Sequence, residues 1–279
     1  MSKKVIVFLL MVSLFLVQQS SVKGIANDIP DQTTVSNMTE EELNEILMLR
    51  GASEVFLSKI PVHEKKALVE CGADGFQTKS EIYTVSELLP ETQIVSKTIS
   101  EKELSLDITT SHILLGTPNA IVFLYVTYEW KDLPLWRLTD YMSLTWDDNI
   151  FLPYDGSTLL VDYFTSSNNE LQYTKEHNET YDANSNSVIW QMDIWADGTT
   201  VHPTVMKSGY GSIRLKIKDG IDHFAIDTVF SSTYAHSMVF ATPGLSLSNS
   251  GFGVSVTPSV NVDQRGITKH FNTSSLNTY

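Results

Sequence analysis

The sequence predicts a mainly β protein, an antiparallel β-sandwich or barrel-like domain carrying a small N-terminal helical element. Three observations predict it. From His112 onward, runs rich in β-branched and aromatic residues recur at roughly 10–20-residue intervals, divided by Gly, Pro, Asn and Asp turns. Within them, Ile213, Leu215 and Ile217 alternate with Arg214, Lys216 and Lys218, the period of a half-buried strand. Helical spacing is confined to residues 39–72, where Leu43, Ile46 and Leu47 share one face.

The chain has 279 residues, with 33 Asp+Glu against 19 Lys+Arg, a formal net charge of −14 and a single cysteine. A hydrophobic share of 42% supports a packed core. The acidic balance argues against nucleic acid as a partner, because neutralising phosphates needs a basic face. The lone Cys71 excludes an intramolecular disulfide framework and a cysteine zinc site.

The N-terminus carries targeting chemistry. Lys3 and Lys4 precede an apolar run, Val5 to Val17, interrupted only by Ser13. Gly24-Ile25-Ala26 then puts small residues before a cut at Asn27, the order of a cleaved secretory signal over 1–26. The run, about 13 residues, is short of the ~20 that span a bilayer, and no later segment is long and apolar enough. Cleavage leaves 16 basic residues against 33 acidic ones, which disfavours anionic lipid surfaces at low salt. The expected location is extracellular.

Residues 27–38 read as an extended polar leader. Thr39-Glu40-Glu41-Glu42 is a capping box opening a helix that Gly51 stops. A second short helix fits Ser53 to Lys59, and a third runs from Pro61 to about Cys71. Residues 39–72 are too few to bury much alone and must pack on something. Residues 73–111 form a mixed connecting region, with a strand in Glu81 to Leu89. The β domain is expected over 112–279. Its strands include Ile121 to Trp130, parts of Trp136 to Trp146, Leu159 to Phe164, an edge strand in Leu171 to Thr180, Val188 to Trp195, Gly211 to Lys218, Phe224 to Thr233 and Leu245 to Val262.

No histidine pair has zinc-ligand spacing, no Gly-x-Ser-x-Gly elbow occurs, and no Gly-rich phosphate loop precedes a helix. No cofactor, metal or catalytic residue is assigned. Glu129, Asp132, Asp140, Asp193 and Asp197 lie near Trp130, Trp136, Trp146, Trp190 and Trp195 in sequence. Acids beside aromatic platforms suit a sugar site, whether binding or cleaving. Trp is equally a sandwich-core residue of large buried area. The candidate ligand-binding set is Trp130, Trp136, Asp140, Trp146, Trp190 and Trp195. Asp147-Asp148-Asn149 and Asp155-Gly156 read as polar turns, the alternative being a calcium loop.

Leu245 to Thr257 alternates apolar residues with Ser, Thr and Asn and carries no charge. It fits a half-buried strand pair in a soluble sheet, with Asn249-Ser250-Gly251 as the turn. It also has the pattern of a β-barrel pore hairpin. Asn37, Asn178 and Asn272 begin glycosylation triplets.

Glu41-Glu42-Leu43-Asn44-Glu45-Ile46-Leu47 with Arg50-Gly51, and Lys65-Lys66-Ala67-Leu68, resemble the N-terminal helical part of uncharacterised secreted proteins from Bacillus-like Gram-positive bacteria. Tyr128-Glu129-Trp130 with Leu133 to Asp140, and Thr233-Tyr234-Ala235-His236, are similar to their β-rich body. The resemblance implies export and brings no activity or catalytic residue. The expected function is a secreted non-enzymatic binding protein for a glycan or a cell-surface partner. The alternatives are a β-hairpin pore-forming or membrane-acting protein and a glycan-acting hydrolase.

Overall fold

The computed structural model describes residues 32–275, except 79–80, 84–98, 101, 118, 133–138, 155–158, 166–170, 178–181, 185, 194, 197–203, 238–244, 250–253 and 259–261. The signal-like segment therefore lies outside the described residues. Two antiparallel sheets pack face to face, and helices cover the outer face of one of them.

The helical layer begins earlier than expected. Residues Gln32–Ser36 form α1 within the stretch read as an extended leader. The correction has a tertiary cause: Val35 is buried in the helical layer's own core, and Lys66 Nζ donates to Ser36 O at 2.6 Å. Next come α2 (Glu40–Leu49), α3 (Glu54–Leu57) and α4 (Val62–Glu70). The capping box forms: Thr39 Oγ1 accepts from the Glu42 N–H at 3.3 Å, and Glu42 Oε2 accepts from the Thr39 N–H at 2.8 Å. Gly51, at φ 97°, supplies the left-handed stop after α2. Ser53 caps α3, whereas Pro61 occupies the cap of α4 without a side-chain bond.

Sheet A has the path β1 (Asp74–Gln77), β3 (Leu104–Ile113), β4 (Ile121–Trp130), β12 (Thr204–Ile217), β7 (Leu159–Thr165), β8 (Leu171–His177); β6 (Phe151–Pro153) and β11 (Trp195–Ala196) also pair with β12. Sheet B runs β2 (Glu81–Tyr83), β16 (Val262–Asn272), β13 (Asp227–Ser237), β5 (Thr139–Thr145), β10 (Ser187–Asp193), β9 (Asp182–Asn184). The expected edge strand at Leu171 is indeed the end of its sheet. The boundary placed at residue 112 falls inside β3. From Leu104 the alternation is strict: Leu104, Leu106 and Ile108 enter the core, while Ser105 and Asp107 face the helical layer.

The register explains the core. Tyr234 lies opposite Met142, which lies opposite Trp190, and Leu144 lies opposite Val188. These residues share one face and meet Val122, Leu124, Val126, Tyr128, Ile213 and Leu215 of sheet A. The interior has an apolar end, where Phe151, Phe230 and Phe271 pack with centroids 5.4–6.4 Å apart. Full burial of each such ring contributes about 1.5–3 kcal/mol. The other end is polar.

The second contact surface of sheet A lies outward. Phe123, Tyr125 and Tyr210 meet Leu43, Leu47, Phe56, Leu68 and Phe76. Phe56 packs edge-on against Tyr125 at 5.2 Å. Lys59 Nζ reaches Asp107 Oδ2 at 3.2 Å, tying the turn after α3 to β3.

The remaining strands, β14 (Leu245–Asn249) and β15 (Val254–Pro258), form a two-stranded sheet by themselves. The expected strand pair is present, but it belongs to neither large sheet.

Candidate functional site

At the polar end of the sandwich, β5, β13 and β16 carry acid and base side chains on the inner face. His236 sits in register with Asp140 on one side and Asp263 on the other. Tyr234 and His236 are two residues apart, so the pleat points both inward. Tyr234 OH donates to Asp140 Oδ2 at 2.5 Å. Asp140 Oδ1 lies 2.7 Å from His236 Nδ1, a bond the imidazole makes as donor when Nδ1 carries the proton. From sheet A, Trp130 Nε1 donates to Tyr234 OH at 3.0 Å, and its ring packs edge-on to the imidazole at 5.6 Å. The chain of bonds thus crosses between the two sheets.

A carboxylate holding a histidine Nδ1 is the orienting half of a nucleophilic triad. Here the whole group is buried. Asp140 and Tyr234 are 0% exposed, His236 2% and Trp130 3%. Through Trp130 the buried arrangement acts as a clasp between sheets. Charge-assisted hydrogen bonds of this kind are the strong ones in a dry interior.

Of the six residues singled out in the sequence, the fold brings Trp130 and Asp140 together through Tyr234. Trp146 and Trp190 are buried in the sandwich core elsewhere. Trp190 packs on Gly211 of β12, where an added Cβ would lie 2.8 Å from its ring. Trp195 pairs with Val205 through its backbone, and its side chain is outside the description. Trp136 lies outside the described residues. An aromatic platform therefore does not include Trp130, Trp146 or Trp190. Two of the five candidate acids are also separated: Asp140 is internal on β5, whereas Glu129 stands on β4 opposite Ser105 and Ser208, on the outward side of sheet A. Asp197 is outside the described residues.

Sequence reasoning missed Tyr234 and His236. The available signal was the Tyr-x-His spacing on a strand, which places both rings on one face. What it lacked was the knowledge that β13 lies beside β5.

A second hydroxyl–carboxylate bond lies on the outer face of sheet A. Tyr125 OH donates to Glu64 Oε1 of α4 at 2.6 Å. Burial, with Glu64 beside it, pushes the Tyr125 hydroxyl well above its usual value. Arg214 lies over the Phe123 ring at 5.5 Å. Cys71 is half-buried at the end of α4, and burial raises its thiol, which leaves it a poor nucleophile. Asp147 Oδ1 accepts from both Asn149 N and Nδ2 at 2.9 Å, so this loop is a self-bonded polar turn; Asp155 and Gly156 are outside the described residues. No helix among the described residues is long and apolar enough to cross a membrane.

No protein-family model and no curated protein sequence matches the chain. Among solved structures, it is similar to a chain from the work on pH-induced modulation of Streptococcus parasanguinis adhesion by Fap1 fimbriae. The identity is 14%, the match covers 72% of this chain and 100% of that one, and the TM-score is 0.33. It is also similar to a chain from the work on AvmM, which catalyzes macrocyclization in alchivemycin A biosynthesis, at 14% identity, 64% and 95% coverage and a TM-score of 0.28. Likeness at these scores carries no inference about what this chain does.

Proposed function

We propose that this is a secreted, non-enzymatic interaction protein that works through its surface, on a glycan or a cell-surface partner. The observation supporting this is the burial of its acid–base constellation. Asp140, Tyr234 and His236 form a bonded group closed to solvent between the sheets, and a second close histidine–carboxylate pair, His270 with Asp227 at 2.6 Å, stands exposed at the paired ends of β13 and β16. A catalytic dyad must touch a reacting atom. The order of basic, apolar and small residues at the N-terminus supports export.

The test is a glycan array and a cell-binding assay with protein recovered from the culture medium, alongside product analysis of every glycan bound. Binding without turnover is the expected result. Turnover that disappears in Asp140→Asn while the fold persists would reverse the reading.

A further inference from the structure

At the margin of the helical layer, the outer face of sheet A gathers two cations beside exposed apolar side chains. Leu152 of β6 stands in register with Lys216 of β12, and Lys216 with Ile121 of β4. Two residues along, Arg214 is opposite Phe123, and the Tyr154 N–H donates to Arg214 O at 2.7 Å, continuing the ladder past β6. Period two puts Leu152, Tyr154, Arg214 and Lys216 on one face. It is the outer face, because Phe123 packs under the helices whereas Phe151 is buried between the sheets. Leu152 and Tyr154 are each 44% exposed, Arg214 is exposed, and the Lys216 side chain is 40% exposed. The Arg214 guanidinium lies over the Phe123 ring at 5.5 Å. Its charge also acts on Cys71 and Tyr125, lowering both against the rise that burial imposes, so the end of α4 borders this corner.

We propose that this corner of sheet A is a binding site for an acidic saccharide: a sugar ring whose carboxylate meets Arg214 and Lys216 and whose C–H face covers Tyr154. This rests on the reading of the protein as one that works on a glycan, and names the class of glycan.

The side-chain chemistry selects that ligand. A guanidinium stacked on a ring keeps its planar fork in a fixed orientation, and the fork matches a carboxylate through two parallel N–H bonds. Lys216, two positions along the strand, adds a second charge without a fixed direction. A pyranose is polar at its rim and apolar across its C–H face. It complements an exposed tyrosine, whose ring is apolar and whose hydroxyl is wet. Leu152 extends the apolar strip. Charge limits how much anion the corner takes. Nucleic acid carries one charge per ~1.7 Å, and a chain of formal charge −14 repels it beyond these two cations. A single carboxylate needs no more than two, and a Debye length of about 8 Å screens the more distant acids. A peptide strand fits less well, because the edge of β6 away from β12 offers no donor. The Phe151 N–H is bonded to Asp147 O at 2.9 Å, and Pro153 has none. Asp219 is the opposing charge at the rim, its Oδ1 4.0 Å from Lys216 Nζ and its side chain 92% exposed.

The experiment measures binding of the purified full chain to immobilised sialyllactose and a hyaluronan hexasaccharide, each beside its carboxyl-reduced, neutral counterpart. Arg214→Lys, Tyr154→Ala and Asp219→Asn are compared with the parent, and each is also melted. The parent should bind at least one acid about tenfold or more tighter than its reduced form. Arg214→Lys keeps the charge but loses the fork, and should weaken that binding about tenfold. Tyr154→Ala should weaken it about fivefold, through the lost ring. Asp219→Asn removes the competing carboxylate and should strengthen it about twofold. Melting temperatures should stay near the parent's, since all three side chains are exposed. Equal binding of an acid and its reduced form overturns the proposal. So does acid binding that neither Arg214→Lys nor Tyr154→Ala weakens, or a parent that binds neither acid. A protein that binds neutral glycans or cells while ignoring both acids sinks this proposal and leaves the proposed function standing. One that binds no glycan and no cell sinks the function itself.

Discussion

Sheet A is clamped on both faces, and the two clamps use the same bond differently. On each side a tyrosine hydroxyl donates to a carboxylate: Tyr234 to Asp140 at 2.5 Å between neighbouring strands of sheet B inside the sandwich, Tyr125 of sheet A to Glu64 of α4 at 2.6 Å under the helices. Inside, the carboxylate also binds His236, and the hydroxyl also accepts from Trp130 of sheet A, so three side chains, Tyr234, His236 and Trp130, are tied directly or through one bond to Asp140. Outside, Glu64 reaches from α4, a nine-residue helix, at the margin of the layer. The comparison teaches that an identical contact gains weight from what else its atoms serve. It also separates two roles of buried acids: one joins neighbouring strands and holds the tyrosine that meets the facing sheet, the other seats a helix.

The largest expected effect is at the inner clamp. Asp140→Ala removes from a dry core the acceptor that Tyr234 and His236 share and should cost about 3–5 kcal/mol in denaturant unfolding. A cycle with His236→Ala should show strong coupling, because the two side chains share a bond at 2.7 Å. Additive losses would mean the two do not share a bond.

Next is the packing that holds the same sheets apart. Gly211→Ala drives a methyl to within 2.8 Å of the Trp190 ring and 3.0 Å of Met142 Cε. Overpacking of this kind costs about 1–3 kcal/mol, and Trp190→Phe should relieve part of it. Thermal melts of the single and double variants check this, and a neutral Gly211→Ala would disprove the close approach.

The outer clamp has a pH signature. Burial raises the Tyr125 hydroxyl, so its neutral form is what the fold holds. Its contribution is complete below the ordinary tyrosine value of about 10 and is lost as pH climbs from there toward the folded value. The Cys71 thiol, also raised by burial, adds loss in the same direction. Tyr125→Phe should cost about 1–3 kcal/mol at neutral pH, since Glu64 loses its donor, and should flatten the alkaline decline. Unfolding curves from pH 7 to 11 measure both. An unchanged alkaline slope would move the cause elsewhere.

The smallest effect is local. Thr39→Ala removes the acceptor that caps α2 and should cost about 1 kcal/mol. It should loosen the helical layer without touching the inner clamp, as hydrogen exchange resolved by region would register.

The sequence by itself determined the elements whose signal is local. Thr39 and Glu42 specify a capping box because both partners lie within one turn. Ile213, Leu215 and Ile217 specify an inward face because a strand repeats every two residues. It did not determine α1, which forms where Val35 is buried, or the start of β3, whose neighbour is β4. Tertiary structure alone decided the fate of the acids and tryptophans. Asp140 and His236 are ninety-six positions apart, and only the pairing of β5 with β13 brings them within 2.7 Å. Trp190 is core because Gly211 of the opposite sheet leaves it a hollow. The hairpin shows the same limit most clearly. Alternation of Leu and Val with Ser and Thr defines two faces, but which medium covers each depends on whether a neighbouring strand is there to bond. Hydrophobic period is a property of a segment, whereas burial is a property of what packs against it.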